Sequence, residues 1–188
     1  MAIYKDVDSQ QNYNCGCSSL NTAHIVFPDL KAHLIFWLIF IVGLVLDLYT
    51  KKTVFEWLSD TGSVSIVGDF LRFIIAENTG AAFGIAAGKR LLLVSTSVLA
   101  LAGVIGVFLF GHIKPRVVQV ALGLFAAGVS GNLYDRLFND GMVRDFIDVT
   151  YRPNTHWPAF NIADSMLCIS VGLLIISTLR TPPKQHAD

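Results

Sequence analysis

Four apolar runs alternate with polar connections along the 188 residues, at about 34–46, 91–110, 117–133 and 165–179. The second carries no charge and is long enough to cross about 30 Å of hydrocarbon at about 1.5 Å per residue. The third holds Gly123, Gly128 and Gly131 among alanines, and small residues of this kind let membrane helices approach closely. The first and fourth are shorter and span only with their polar ends at the interface. The predicted crossings are therefore about 34–49, 91–110, 117–134 and 162–179.

Successive crossings alternate direction. The end of the first, the start of the second, the end of the third and the start of the fourth then share one face. The unusual polar residues gather there: Asp47 closes the first run, Asn78 and Gly80 precede the second, Asn132, Asp135 and Arg136 close the third, and Asn161 and Asp164 open the fourth. Polar and ionisable groups at such positions are functional candidates, because hydrocarbon penalises them unless they find partners or water. The fold class predicted is an all-α membrane bundle of four transmembrane helices with a small extra-membrane β-cradle.

The connections supply the rest of that architecture. Residues 1–32 read as a polar tail, poorly ordered, with no apolar segment before Cys15 or Cys17 that would make it a leader. The stretch of about forty residues between the first two runs is too polar to span; partial alternation over 63–73 around Gly68-Asp69 predicts a short hairpin or sheet on the membrane surface. Between the third and fourth runs, Gly141 offers a turn, residues 142–149 are strand-like, and Tyr151 and Trp157 suit an interfacial aromatic belt. Asn161 is a candidate N-cap, which puts Asp164 in the first helical turn. Residues 181–188 form a short tail, so the membrane domain spans 33–180.

Composition agrees with membrane residence: 53% of residues are apolar without counting glycine, 15% are charged, and mean hydropathy is +0.56. Zero formal net charge offers no basic surface for nucleic acid. Lysines and arginines are about equally dense on both faces, so charge alone leaves the orientation open. Three cysteines make no disulfide framework, and the Cys15-Gly16-Cys17 pair is too small a ligand set for a metal.

At the polar face, His156 is the one histidine and cysteine is absent, which disfavours Ser–His–Asp, Cys–His and multi-histidine zinc chemistry. Carboxylates abound instead: Asp47, Asp135, Asp140, Asp145, Asp148 and Asp164. Two carboxylates held together do not both ionise easily, and such a pair can deprotonate a water while protonating a leaving group, without metal or cofactor. Asn132, Asp135 and Arg136 share a helix face, so Asp135 sits beside a cation, the usual setting of an ion pair. Asp145 lies in an apolar segment, and Asp164 shares a face with Asn161. The favoured pair is Asp145 with Asp164, and Asp135 or Asp148 remain substitutes. A non-enzymatic reading, a transporter or lipid-binding subunit, calls for ionisable groups at mid-bilayer, and the second and third runs have none.

The motifs Asp47-Leu48-Tyr49-Thr50-Lys51, Asn78-Thr79-Gly80-Ala81-Ala82-Phe83-Gly84, Gly131-Asn132-Leu133-Tyr134-Asp135-Arg136, Val143-Arg144-Asp145-Phe146-Ile147-Asp148 and Phe160-Asn161-Ile162-Ala163-Asp164 resemble, in order, those of the lipoprotein signal peptidase (signal peptidase II) family. The resemblance covers roughly residues 34–179. It implies an aspartyl endopeptidase of the bacterial inner membrane, with an extra-membrane β-cradle at about 54–83, both termini cytoplasmic and the active site at the periplasmic or outer face. Its substrates would be prolipoproteins carrying a diacylglyceryl group, cut just before the lipidated cysteine, with membrane lipids as further partners and globomycin-type cyclic peptides as inhibitors. The implied catalytic dyad is Asp145 and Asp164. Asn78, Gly80, Asn132, Arg136 and Asn161 match positions that line the site, and Asp47, Lys51 and Asp135 match supporting ones. Two features depart from the family pattern: the long N-terminal tail, and Glu77 where many members have a basic residue.

Overall fold

A computed structural model describes residues 28–81, 85–152 and 155–180. The expectations for Cys15 and Cys17, for the rest of the tail before residue 28, for Ala82-Phe83-Gly84 and for residues 181–188 lie outside these. The elements, in chain order, are α1 (Leu30–Trp57), β1 (Ser63–Val67), β2 (Leu71–Asn78), α2 (Arg90–Phe110), α3 (Arg116–Phe138), β3 (Val143–Arg152), β4 (Thr155–His156) and α4 (Ile162–Arg180). All four helices are long and apolar enough to cross a membrane.

The third helix organises the bundle. The other three all pack on it, and over its most apolar 18 residues it has the lowest mean hydropathy of the four, 1.5 against 2.0 to 2.4. A helix surrounded by protein needs less apolar surface than one facing lipid, and what it needs instead is room. Ala121, Gly123, Ala126, Ala127, Gly128 and Gly131 are all buried along it. A Cβ on Gly128 would stand 2.6 Å from the Ala163 carbonyl oxygen and 2.8 Å from Leu167 Cγ, so α4 crosses α3 at backbone distance. Gly43 does the same for α1, where a Cβ would lie 2.8 Å from Met166 Sδ and 2.9 Å from Ala127 Cβ. The outward faces of the helices carry exposed apolar side chains such as Leu38, Leu91, Leu99 and Leu179, as a hydrocarbon surround requires.

At the end where α1 starts and α4 finishes, Phe36 stacks on Phe108 with ring centroids 4.1 Å apart, closing a cluster with Ala32, Leu122 and Ala126. At the other end α1 runs on to Trp57, beyond the limit near residue 49 read from hydropathy. Residues 54–57, assigned in sequence to the cradle, are helix. A helix of 28 residues is about 42 Å long, more than the hydrocarbon requires. Its last turns carry Val54 and then Leu58 against Phe146 of the sheet.

That sheet has the order β1-β2-β3-β4, antiparallel throughout. The β1–β2 hairpin turns at Gly68, whose φ of +47° is left-handed, and the Ser65 hydroxyl donates to the Gly68 carbonyl. The strand β3 comes from the second polar connection, so the cradle is built from two segments far apart in sequence and not from 54–83 alone. Its register with β2 places Ala76 opposite Asp145 and Asn78 opposite Val143. Phe160 then bridges to Ile147 through paired backbone bonds of 2.9 and 3.1 Å, which fixes the entry to α4 against the sheet.

The close crossing at Gly128 gives a stability prediction. Gly128→Val should lower the unfolding temperature in detergent, by an overpacking cost of about 1–3 kcal/mol. Gly103→Val, where a Cβ meets nothing within 4 Å, should not; equal shifts in both variants would show that the crossing tolerates a side chain.

Candidate active site

The site begins with a lysine that has no access to solvent. Asp47 and Lys51 lie one turn apart on α1, and both are completely buried. Lys51 Nζ sits 2.8 Å from Asp47 Oδ2, an ion pair without hydrogen-bond alignment, and 3.2 Å from Asp135 Oδ2 on α3. It donates to Asn132 Oδ1 at 3.0 Å. Each carboxylate has a second duty. Asp47 Oδ1 accepts from the Ala163 backbone N–H at 2.8 Å, meeting one of the unpaired amides at the start of α4. Asp135 accepts from the Arg144 backbone N–H at 3.0 Å and from its guanidinium at 2.6 and 3.1 Å. One buried cation thus ties α1, α3, α4 and β3 together. Gly131 makes this possible, because any Cβ there would collide with Asp47 Oδ2.

Two asparagines carry the network to a pair of aspartates. Asn132 accepts from Lys51 and from Asn161 Nδ2 (3.1 Å), and donates through Nδ2 to Asp164 Oδ1 at 2.8 Å. Asn161 Nδ2 donates to Asp145 Oδ1 at 2.7 Å. Asn161 also caps α4: its Oδ1 accepts from the Asp164 N–H at 3.0 Å while Asp164 Oδ2 accepts from the Asn161 N–H at 3.2 Å. This is the reciprocal arrangement of a capping box. Asn78 Nδ2 reaches Asp145 Oδ2 at 3.2 Å, and Asn78 Oδ1 accepts from the Gly80 N–H at 2.9 Å. Arg136 Nη2 donates to the Gly80 carbonyl at 2.9 Å and so holds the 78–81 turn over the site.

Asp145 and Asp164 both line a cavity of about 1200 Å³ that runs from the 78–81 turn between α2 and α4. Its walls include Leu93, Thr96 and Ser97 of α2 and Ser165 and Cys168 of α4. Asp145 is 2% exposed. Burial pushes its carboxyl up to about 7, with the Asp164 charge adding to the shift and the Asn78 and Asn161 hydrogen bonds opposing it.

All ten residues singled out in sequence fall in this region. The two substitutes for the pair are occupied elsewhere. Asp135 is held by Lys51 and Arg144, and Asp148 faces His156, whose Nδ1 lies 2.9 and 3.0 Å from its two oxygens. Neither lines the cavity. Arg144 was not anticipated, although strand alternation sends it to the opposite face from Asp145. Cys168, one turn beyond Asp164, was not anticipated as a wall either. Among the described residues no three His, Cys, Asp or Glu side chains converge as metal ligands.

Fold and site together define a multi-pass membrane protein with a two-carboxylate centre at one end of its bundle. The family model described as Signal peptidase (SPase) II matches residues 39–180. The lipoprotein signal peptidase of Clostridium novyi (strain NT) is 38% identical over 143 residues, which cover 76% of this chain and 96% of that protein. The lipoprotein signal peptidase of Syntrophus aciditrophicus (strain SB) is 41% identical over 162 residues, 80% and 96% of the two chains. A bacterial membrane enzyme solved by the in meso method at 2.3 Å resolution superposes with a TM-score of 0.68 at 31% identity, over 81% of this chain and 92% of its own. The chain belongs to the signal peptidase II family. It is a membrane protease, and the non-enzymatic reading is not favoured.

Removing the buried cation should be severe. Lys51→Met leaves Asp47 and Asp135 buried without it, a change that typically costs about 3–5 kcal/mol. Thermal unfolding followed by tryptophan fluorescence should show a large loss of stability, whereas Lys52→Met, at an exposed ion pair, should be near neutral. An unshifted Lys51→Met would remove the network from the account of stability.

Proposed function

We propose that the protein is an aspartic endopeptidase that releases signal peptides from diacylglyceryl-modified prolipoproteins, cutting before the lipidated cysteine. The observation that carries this reading is the Asp145–Asn161–Asn132–Asp164 chain of hydrogen bonds lining a large cavity between two membrane helices. With its carboxyl near 7, Asp145 is the natural holder of the one proton the pair keeps at neutral pH. Asp164 takes a proton from a water bound between the carboxylates as that water attacks the scissile carbonyl carbon. Asp145 gives its proton to the carbonyl oxygen. In the tetrahedral intermediate a proton passes to the nitrogen, the C–N bond breaks, and the products are the signal-peptide carboxylic acid and the amino group of the lipidated cysteine.

Asn132 and Asn161 orient the two carboxylates. Arg136 and Asn78 hold the Gly80 turn at the cavity mouth, where Arg136 can also meet substrate carbonyls. Asp47, Lys51 and Asp135 keep the helix ends in place. In this reading both termini are cytoplasmic, the site faces the periplasmic or outer side of the inner membrane, membrane lipids surround the cavity, and globomycin-type cyclic peptides compete for it.

The test is release of signal peptide from a prolipoprotein prepared with and without diacylglycerol on its cysteine. Wild type should cut the lipidated form alone. Asp145→Asn and Asp164→Asn should each lower turnover by roughly a thousandfold or more while the protein stays folded. A folded wild type that cuts neither form would overturn the reading, and substantial turnover in either variant would remove that residue from the pair.

The pH dependence has a fixed sign. Above a pH of about 7 Asp145 loses its proton and the pair has no acid to offer, so kcat/KM should fall as pH rises through that region. A rate that stays flat or climbs there would show that the shared proton is not needed.

A further inference from the structure

The opposite end of the bundle holds a second cavity, of about 320 Å³, between the start of α1 and the α2–α3 connection. Ligand pockets run from about 300 Å³ upward, so it suits a small group. Its rim carries Lys31, His112, Lys114 and Arg116, all exposed. Among the described residues none of these has a carboxylate partner. Asp29 is the one acidic residue in the lining, and its Oδ1 is turned to the Ala32 N–H at 2.9 Å as the cap of α1. The connection itself is built into place. Gln119, 5% exposed, donates through Nε2 to the carbonyls of Ile113 (2.9 Å) and Lys114 (3.5 Å), and His112 takes a left-handed φ of +50°. Arg116 opens α3, whose first turn has no side-chain cap, so the helix dipole adds positive potential at the same spot.

This cluster stands at the end of four helices whose outward faces are apolar, the level at which lipid phosphates lie. Basic pockets between membrane helices at that level select acidic headgroups. We propose that the cavity between α1 and the α2–α3 connection binds the phosphate-bearing headgroup of an anionic phospholipid, with Lys31, Lys114 and Arg116 as its cationic contacts. The Ile35 and Ile113 side chains give the glycerol end an apolar floor. The site is independent of the peptidase centre and holds whichever face of the membrane it occupies.

The test uses the full chain purified in a neutral detergent, with phosphatidylglycerol, phosphatidylcholine and inorganic phosphate as probes, and binding read by native mass spectrometry and by thermal shift. Wild type should retain and be stabilised by phosphatidylglycerol. At about one decade or slightly less per basic residue, Lys114→Gln/Arg116→Gln should weaken that affinity roughly tenfold or more. The charge-matched Lys52→Gln/Arg152→Gln, at the other end, should leave it unchanged. Lys31→Gln is a second, single-site check, expected to weaken binding by a smaller factor. Equal binding of phosphatidylcholine, or undiminished binding in both rim variants, would overturn the proposal. A shift produced equally by inorganic phosphate and lost in the rim variants would assign the cavity to a free anion and overturn the lipid assignment.

Discussion

A lysine ammonium sealed from solvent among two carboxylates and an asparagine is the constraint from which the rest of this molecule follows. Lys51 makes three close approaches, a hydrogen bond to Asn132 and ion pairs to Asp47 and Asp135. Each partner belongs to, or holds on to, a different element. Asp47 grips the first turn of α4, Asp135 grips β3 through Arg144, and Asn132 reaches the aspartates at the cavity. Membrane helices have little hydrophobic force between them, because lipid is as apolar as they are. Packing at glycine and a polar knot at one end can then set their relative heights, which hydrophobic matching alone leaves loose.

The knot also explains why the sheet sits where it does. A strand edge has no place in hydrocarbon. Here β3 is clamped at Arg144 by Asp135, and at Phe146 and Ile147 by the backbone of Phe160. These attachments hang the sheet from the helix ends and present Asp145 inward from the strand while Asp164 rises from the helix beneath. Two aspartates from different secondary structures meet through Asn161, which serves as both helix cap and hydrogen-bond donor to Asp145.

Much of this was legible in the chain. The four apolar runs mark the helices because lipid exposure writes a strong, local signal, and the polar residues at their ends gather in the candidate site. Capping chemistry placed Asn161 and Asp164 together for a reason that the hydrogen bonds bear out. What stayed hidden was non-local or left the membrane. The last turns of α1 carry Lys51, Lys52, Thr53 and Glu56, so hydropathy ends before the helix does. The pairing of Ala76 with Asp145 joins residues from opposite sides of two helices, and no local pattern records it. For the same reason the sequence favoured Asp145 but left Asp135 and Asp148 open as substitutes. They are separated only by partners that folding supplies: Lys51 and Arg144 for Asp135, His156 for Asp148, and for Asp145 two amides and a cavity.

Charge balance gives an independent reason for a proton to reside at that cavity. The connected network contains four carboxylates, Asp47, Asp135, Asp145 and Asp164, and three cations, Lys51, Arg136 and Arg144. In water a leftover negative charge is screened and of little consequence. In a region walled by helices and mostly closed to solvent it is costly, and the network becomes neutral only when one carboxylate is protonated. Asp47 and Asp135 each lie against the Lys51 ammonium. Asp145 has neutral amides for neighbours and burial against it. The excess carboxylate in the frame therefore favours a proton at Asp145, and the buried network and the Asp145–Asp164 pair are parts of one electrostatic arrangement.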